Sequence, residues 1–335
     1  MSSEHSPNDT QALRIGVAGA GAIGCTLAAI LAQAGQTVSL LARGATLRAV
    51  QANGIQLQRQ GQTSHAPVAA SDDAAALGVQ DVLFLCAKAH DLAGLAQAAK
   101  PLIGPRTTLI PMVNGVPWWY FERLPGQAER RRIRAVDPDG RLFELLPSEQ
   151  LVGVVQFMTA ERLAPGVVMS NTPPLLVLGE IDHTESERVR RIAGVLNASG
   201  IEGRPSAQIR DPLWMKIIAN LTTNPLSVVS AATLDAMYGD PRLLPITRRI
   251  LFEGMALAAA HGARLPLDPH TIISETIAMG PIRTSMLQDY LSGNPLELAA
   301  IGDAVLELAD AMNLPMPTAR DIISLAHFRG LSPRP

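Results

Sequence analysis

The residues best suited to do chemistry in this sequence are a lysine and two asparagines with a regular spacing. Lys216, Asn220 and Asn224 follow one another at intervals of four, so in a helix they lie along one face. Asp211 and Pro212 predict such a helix, because Asp caps a first turn and Pro at the first helical position loses no needed donor. One cation and two amides in a row would form a site for an oxygen-rich anion.

The composition of the chain favours a functional Lys216. Only three of the 28 basic residues are lysines (Lys88, Lys100 and Lys216), and the other 25 are arginines. A chain that uses arginine almost everywhere keeps lysine where it needs a titratable amine or a compact charge. The alternative interpretation is an ordinary solvated lysine beside two surface asparagines, and the scarcity of lysine weighs against it.

A glycine-rich turn near the N-terminus predicts a nucleotide-binding element that would accompany this site. Leu13–Ala18 is a predicted strand, a helix should run from about Ala22 to Ala34, and Thr37–Ala42 is a second predicted strand. A G-x-G-x-x-G motif between strand and helix binds the pyrophosphate of a dinucleotide at the helix N-terminus. The motif residues here are Gly19, Ala20, Gly21, Ala22, Ile23 and Gly24.

The end of the second strand predicts which dinucleotide binds. NAD sites usually place an acidic residue there against the ribose hydroxyls, whereas an arginine accommodates the 2′-phosphate of NADP. Here Arg43 follows the strand, and the next acidic residue is Asp72. Because a guanidinium can make a bidentate contact to phosphate, we expect NADPH as the cofactor. A surface arginine in an arginine-rich protein is the alternative.

Two further predicted strands end in polar residues. Lys88 follows Asp81–Ala87, and Asn114 follows Thr107–Val113. Open α/β sheets bind ligands at the carboxyl ends of their strands, so both side chains are candidates for ligand contact. For Asn114, a simple Asn-Gly turn with Gly115 is an equally good explanation.

From residue 211 onward the sequence predicts helices without strands. Four of them are predicted to begin at Asp-Pro or Asn-Pro pairs, namely Asp211-Pro212, Asp240-Pro241, Asp268-Pro269 and Asn294-Pro295. Glu297 stands three residues after Asn294, which is the spacing of a capping box and explains the glutamate structurally on local grounds. The length of 335 residues allows two cores. We therefore predict a disordered tail at 1–11, a nucleotide-binding domain at 12–209 and a helical domain at 210–330.

The charge and cysteine content exclude several classes of protein. A net charge of −2 and a pI of about 6.4 give no attraction to nucleic acid or anionic membranes. Residues 15–42 carry no charge, but five glycines interrupt them, so we predict no membrane span. Cys25 and Cys86 lie in apolar runs and indicate buried thiols of a reduced compartment. No spacing indicates a metal site, and the polar N-terminus lacks a signal core, so we expect a cytoplasmic protein.

With these residues assembled, the chain resembles the ketopantoate reductase (2-dehydropantoate 2-reductase) family. The matching segments follow in order along most of the chain: the glycine-rich loop, Arg43, Lys88-Ala89, Asn114-Gly115, the Lys216, Asn220, Asn224 series, Ser285-Met-Leu-Gln-Asp289 and Glu297. Together they are specific. The resemblance implies an α/β N-terminal Rossmann-type domain, an all-α C-terminal domain and an active site in the cleft between them.

The resemblance also implies a role for each residue. Lys216 would be the general acid that protonates the substrate carbonyl oxygen, and Glu297 would bind the substrate hydroxyl or the nicotinamide end. Asn114 would contact cofactor and substrate, and Lys88 would lie beside the nicotinamide. The remaining substrate contacts would come from Asn220, Asn224 and Ser285, and the remaining cofactor contacts from the glycine-rich loop, Arg43 and Ala160.

The predicted function is thus the NADPH-dependent reduction of ketopantoate to pantoate, in pantothenate and coenzyme A biosynthesis. Its partner would be a small 2-keto acid, and a homodimer is plausible from apolar helix faces. A reductase for a different 2-keto or β-dicarbonyl acid is the first alternative. A non-catalytic NADP(H)-binding sensor is the second, and the joint presence of the chemical residues argues against it.

Three features depart from the family pattern. Ten residues after Asn224 the family often has an asparagine that touches substrate, whereas this chain has Thr233 and Leu234 in that region. The run Trp118–Phe121 is unusually aromatic and would reshape the cleft if its rings faced it. The polar stretch 125–148, with the basic run Arg130–Arg134, is predicted to be an exposed excursion.

Overall fold

The computed structural model describes residues 12–124, 131–266 and 268–331. The predicted tail at 1–11 and Arg130 lie outside these ranges. The described strands all fall before residue 206, and they are β1 (Arg14–Ala18), β2 (Thr37–Leu41), β3 (Ile55–Arg59), β4 (Gln62–Ala66), β5 (Ala69–Ser71), β6 (Val82–Leu85), β7 (Thr108–Pro111), β8 (Val152–Phe157), β9 (Glu161–Ala164), β10 (Val167–Met169), β11 (Leu175–Glu180) and β12 (Glu202–Pro205).

Helices occur in both halves of the chain. They are α1 (Ala22–Gln33), α2 (Gly44–Asn53), α3 (Ala74–Leu77), α4 (Leu92–Ala99), α5 (Arg141–Leu145), α6 (Glu187–Ala198), α7 (Arg210–Ser230), α8 (Leu234–Gly239), α9 (Leu244–Ala260), α10 (Pro269–Ala278), α11 (Ser285–Ser292), α12 (Ala304–Ala311) and α13 (Pro317–Leu331). Short 3-10 segments cover Ala89–Asp91, Lys100–Leu102 and Ser148–Gln150, and a π-helical turn, Ala299–Asp303, precedes α12.

The N-terminal half is built on a five-stranded parallel sheet with the order β5-β2-β1-β6-β7. Its central strands are almost wholly apolar and buried, as expected for a sheet covered on both faces. The carboxyl ends of β1, β6 and β7 lie side by side, which is where such sheets bind ligands. The predicted fold class, an α/β domain followed by an all-α domain, is confirmed.

Two smaller sheets accompany the parallel one. Strands β4-β3-β10-β9 form a sheet that contacts α1, and β12-β11-β8 form another whose strand β8 runs beside β7. The sequence predicts strands at 151–158, 167–170 and 175–178, which correspond to β8, β10 and β11. It does not predict the hairpin of β3 and β4 or the pairing of β3 with β10. The hairpin is polar and largely exposed, so its hydrophobic pattern is weak.

The helical half is organised around α7, which contacts α9, α11, α13 and strand β8. The predicted Asp-Pro caps are only partly correct. Asp268 does cap α10, accepting two backbone amides of its first turn. By contrast, α7 already begins at Arg210, so Asp211 lies inside the first turn, and α9 begins after Asp240, at Leu244.

The aromatic run Trp118–Phe121 holds the two halves together. All four rings are buried, and the Tyr120 hydroxyl accepts a hydrogen bond of 2.8 Å from Trp214 Nε1 on α7. The rings belong to a hydrophobic cluster that includes residues of both halves. They therefore form a core between the domains and do not line an open cleft.

The prediction that residues 125–148 form an exposed excursion is wrong for its described part, 131–148. Ile133, Leu142 and Leu146 are buried in the same core. The backbone amides of Arg134 and Ala135 each donate a 2.9 Å hydrogen bond to a carboxylate of α12. The sequence does not indicate this core segment, because its few apolar residues are spread among many arginines and other polar residues.

None of the helices in the described ranges has the length and apolar character required to cross a membrane.

Candidate active site

Lys216 lies where α7 passes the end of β8. Its Nζ donates a hydrogen bond to the backbone carbonyl of Gln156 and lies 5.6 Å from the centre of the Phe157 ring. Burial lowers the pKa of Lys216 to about 8, and the negative charge of Glu297 partly opposes that shift. An amine with this pKa can give up a proton near neutral pH, as a general acid must.

Glu297 approaches the lysine from the segment that leads into the π-helical turn. It is 8% exposed. Burial raises the pKa of its carboxyl group, while a hydrogen bond with the Asn114 side chain and one from the Ala89 amide, at 3.3 Å, act in the opposite direction. The predicted capping box does not form, because residues 294–297 are not helical. Glu297 instead joins the helical half to the strand ends of the sheet.

Lys88 lies at the carboxyl end of β6, as predicted. Its Nζ lies 2.5 Å from Asp289 Oδ1 on α11, in an ion pair between the two halves of the molecule. The nitrogen is buried, and the pair lacks hydrogen-bond geometry. The ammonium of Lys88 is thus held by the carboxylate of Asp289 through charge and close approach.

Asn114 lies at the end of β7, next to Glu297. The following Gly115 has a positive φ of 78°, and a Cβ there would come within 2.3 Å of the Ala300 carbonyl oxygen. The Val116 amide donates a 2.9 Å hydrogen bond to that same oxygen. The turn therefore needs glycine after Asn114 in order to pack against Ala300. The Asn114 side chain in addition faces the carboxyl group of Glu297.

The two asparagines of α7 have different surroundings. Asn220 is half-buried, one turn beyond Lys216. Asn224 is only 3% exposed, and its Oδ1 accepts a 3.4 Å hydrogen bond from the Met286 amide at the start of α11. Ser285 is exposed at the first position of α11. Asn224 thus holds the helix that presents Ser285.

The glycine-rich loop has the geometry of a dinucleotide cradle. Gly19 has a positive φ of 101°, and a Cβ there would lie 2.2 Å from the Cys86 carbonyl oxygen, while a Cβ on Gly24 would lie 1.9 Å from the Gly19 oxygen. Around Gly21 the space is open, and no side chain caps the first turn of α1. A pyrophosphate can approach the backbone there and accept hydrogen bonds from the helix N-terminus.

Comparison with known proteins identifies the family. Models of the ketopantoate reductase PanE/ApbA family match residues 15–183, and models of its C-terminal domain match residues 208–330. The chain belongs to the ketopantoate reductase family. The 2-dehydropantoate 2-reductase of Mesorhizobium japonicum is 38% identical to it over 93% of this chain and 96% of the relative.

Solved structures resemble the whole chain. A protein of Ralstonia solanacearum MolK2, provisionally named a ketopantoate reductase, has a TM-score of 0.90 and 36% identity over 95% of this chain and 98% of its own. D-mandelate dehydrogenase, in a ternary structure with NADH and anilino(oxo)acetate, has a TM-score of 0.81 over 94% of this chain and 98% of its own. Its identity of 20% shows the shared fold alone.

Arg43 and Ala160 are the remaining residues for which a cofactor contact is predicted. Arg43 is exposed at the end of β2, immediately before α2, whose first turn has no side-chain cap. Ala160 is half-buried in the connection between β8 and β9. At the departure from the family pattern, the Thr233 hydroxyl donates a 2.5 Å hydrogen bond to Asp235, and the Leu234 amide donates to the Ile282 carbonyl. The Thr233 hydroxyl thus already has a carboxylate partner two residues along the chain.

Sequence reasoning missed several neighbours of the site. Asp289 was visible only as part of a motif, and nothing local indicated its ion pair with Lys88. Phe157 ends a buried strand but is 42% exposed beside the amine. Asp72 follows β5, which pairs with β2 in the register Leu41 to Ser71. It therefore returns close to Arg43 although it is far away in sequence.

Both cysteines of the chain lie in the core. Cys25 and Cys86 are both buried and reduced, and burial raises the pKa of each thiol, to about 11 for Cys25. Within the described residues, no group of three or more His, Cys, Asp or Glu side chains is arranged to hold a metal ion.

Proposed function

We propose that this chain reduces ketopantoate to pantoate with NADPH and that Lys216 is the general acid. The observation that carries the proposal is the half-buried Lys216 side chain, whose pKa is lowered to about 8 by burial and so suits proton transfer near neutral pH. It is surrounded by the end of β8, by Glu297 and by the strand ends of the parallel sheet. The family membership and the curated 2-dehydropantoate 2-reductase at 38% identity support the substrate.

The proposed chemistry assigns a task to each group of this chain. A nicotinamide cofactor supplies the hydride to C2 of the keto acid when it is bound. Lys216 stabilises the negative charge that develops on the carbonyl oxygen and then protonates it. The carbonyl of Gln156 fixes the direction of the amine, and Glu297 keeps positive charge on it by raising its pKa.

The substrate carboxylate would bind along the face of α7 that carries Lys216 and Asn220. Asn220 offers an amide one turn from Lys216, and Ser285 offers a hydroxyl at the N-terminus of α11. Asn224 contributes indirectly, because its Oδ1 fixes the first turn of α11. Asn114 would contact both cofactor and substrate, since it lies at a strand end and faces Glu297.

NADPH is the proposed cofactor because Arg43 and the uncapped start of α2 lie together. A guanidinium and free backbone amides at a helix N-terminus both favour a phosphate, and the 2′-phosphate distinguishes NADPH from NADH. Lys88, whose amine is buried in the ion pair with Asp289, would lie beside the nicotinamide. Ala160, in the β8–β9 connection, would line the same site.

A reductase for another 2-keto acid is the second candidate, and Phe157 favours it. Its ring lies over the Lys216 amine on the solvent side, so the group attached to the reacting carbonyl must pass close to it. Thr233, which stands in the region of the family asparagine, already donates its hydroxyl proton to Asp235. Both features alter the surroundings of the substrate side chain and leave the proton transfer unchanged.

The test is NADPH consumption by the purified protein with ketopantoate and then with a panel of 2-keto acids. Rapid turnover with ketopantoate in preference to the others supports the proposal. Turnover only with a different acid would reject the substrate and keep the chemistry. Tight NADPH binding without turnover of any acid would reject the enzymatic function.

A further inference from the structure

We propose that Asp289 is a positioning residue: from the helical domain it holds the Lys88 ammonium of the α/β domain at the nicotinamide end of the site. This inference rests on the proposed function, because it assigns Lys88 to the cofactor. It adds a residue that touches neither cofactor nor substrate and acts through Lys88.

The ion pair is direct and sheltered. Lys88 Nζ lies 2.5 Å from Asp289 Oδ1, and the two side chains are 33% and 15% exposed. The Nζ atom itself is buried without a hydrogen bond, so the exposed part of Lys88 is its aliphatic stem. A partly buried pair is screened less by water than a surface pair is. We therefore expect that its loss measurably changes NADPH affinity or kcat.

Asp289 is also held in place by residues other than Lys88. Asn294 donates a 3.2 Å hydrogen bond from Nδ2 to Asp289 Oδ1 and one of 2.9 Å from its backbone amide to the Asp289 carbonyl. At the other end of α11, Thr284 caps the helix and contacts Ser227 of α7 at 2.6 Å. The carboxylate is therefore a rigid anchor tied to the helix that carries Lys216.

The ion pair between Asp289 and Lys88 also affects Glu297. The backbone amide next to Lys88, that of Ala89, already donates to Glu297, so Glu297 is the other carboxylate within reach of the Lys88 amine. Burial is the main influence on the pKa of Glu297 and raises it. The charge of Lys88 lowers this pKa, and the charge of Asp289 raises it. By holding the ammonium, Asp289 prevents Lys88 from pairing with Glu297 and leaves Glu297 to face Lys216.

The experiment is a double-mutant cycle of Asp289→Asn and Lys88→Met in the full-length protein. It measures the Kd for NADPH by fluorescence, kcat and KM for the keto acid, and Tm. We expect Asp289→Asn to weaken NADPH binding or lower kcat by about tenfold, the equivalent of about 1.4 kcal/mol, with Tm nearly unchanged. The double variant should be no worse than Lys88→Met alone, and Asp289→Glu should recover part of the loss.

The matched control is Asp310→Asn, which removes an exposed ion pair with Arg320 in the same domain and should leave Kd, kcat and KM unchanged. Independent, additive effects of the Asp289 and Lys88 substitutions would overturn the proposal, as would wild-type constants for Asp289→Asn. A loss confined to Tm would also overturn it. If the wild-type protein reduces no keto acid, the proposed function fails, and the same cycle in NADPH affinity still decides the role of Asp289.

Discussion

Replacing Lys216 with alanine removes the amine that the structure places beside Glu297 and the Gln156 carbonyl. A general acid contributes about 10² to 10⁴ in rate, which corresponds to roughly 2.7 to 5.5 kcal/mol of barrier at about 1.4 kcal/mol per decade. We expect kcat to fall at least about 100-fold. The Kd for NADPH should change little, because Lys216 lies on α7, away from the glycine-rich loop.

The pH dependence of the wild-type protein tests the same assignment. Lys216 must be protonated to donate, and burial lowers its pKa to about 8. Activity should therefore be full at lower pH and fall about tenfold per pH unit above that pKa. The variant Lys216→Arg, which stays protonated to much higher pH, should be slow but should lack this decline.

The matched control is Lys100→Ala, an exposed lysine in the 3-10 segment Lys100–Leu102. Steady-state NADPH oxidation should give wild-type kcat for this variant. A Lys216→Ala protein that retains more than about a tenth of the wild-type kcat would refute the reasoning, since the lower bound for a general acid is about 100-fold. An unchanged rate at high pH in the wild-type protein would refute it independently.

Three other substitutions follow from the geometry. Arg43→Ala should weaken NADPH by about tenfold or more and leave NADH almost unaffected; equal losses in Kd for both would exclude a phosphate contact. Glu297→Gln removes the charge that raises the Lys216 pKa, so the decline in kcat should move to lower pH, and an upward shift would contradict this. Phe157→Ala should raise kcat/KM for a 2-keto acid with an aromatic side chain, relative to ketopantoate, by about tenfold; an unchanged ratio would show that the ring does not face the substrate.

The features that sequence predicts well are those set by local geometry. The glycine-rich loop follows from one strand, one turn and one helix. Glycine is required at Gly19 and Gly24 because neighbouring backbone leaves no room for a Cβ atom. The placement of Lys88 and Asn114 at strand ends follows from a parallel sheet. The family could be recognised because these local pieces occur in a fixed order.

The features that sequence misses depend on contacts between distant segments. Glu297 and Asn294 have capping-box spacing, yet Glu297 accepts a hydrogen bond from Ala89, which lies 208 residues away. Asp72 reaches the end of β2 only because β5 pairs with that strand. Spacing alone also cannot reveal that Asn224 is buried and uses its carbonyl oxygen to hold α11.

The lowered pKa of Lys216 depends on the contact between the two domains. The amine extends from α7, but the carbonyl that it binds and the ring beside it belong to β8 in the N-terminal half. Burial by these partners is the main cause that lowers its pKa from 10.5 to about 8. A motion that separated α7 from β8 would hydrate the amine and return its pKa toward the ordinary value. The buried aromatic run between the halves, with the hydrogen bond from Trp214 to Tyr120, opposes such a motion and so keeps the pKa of Lys216 low.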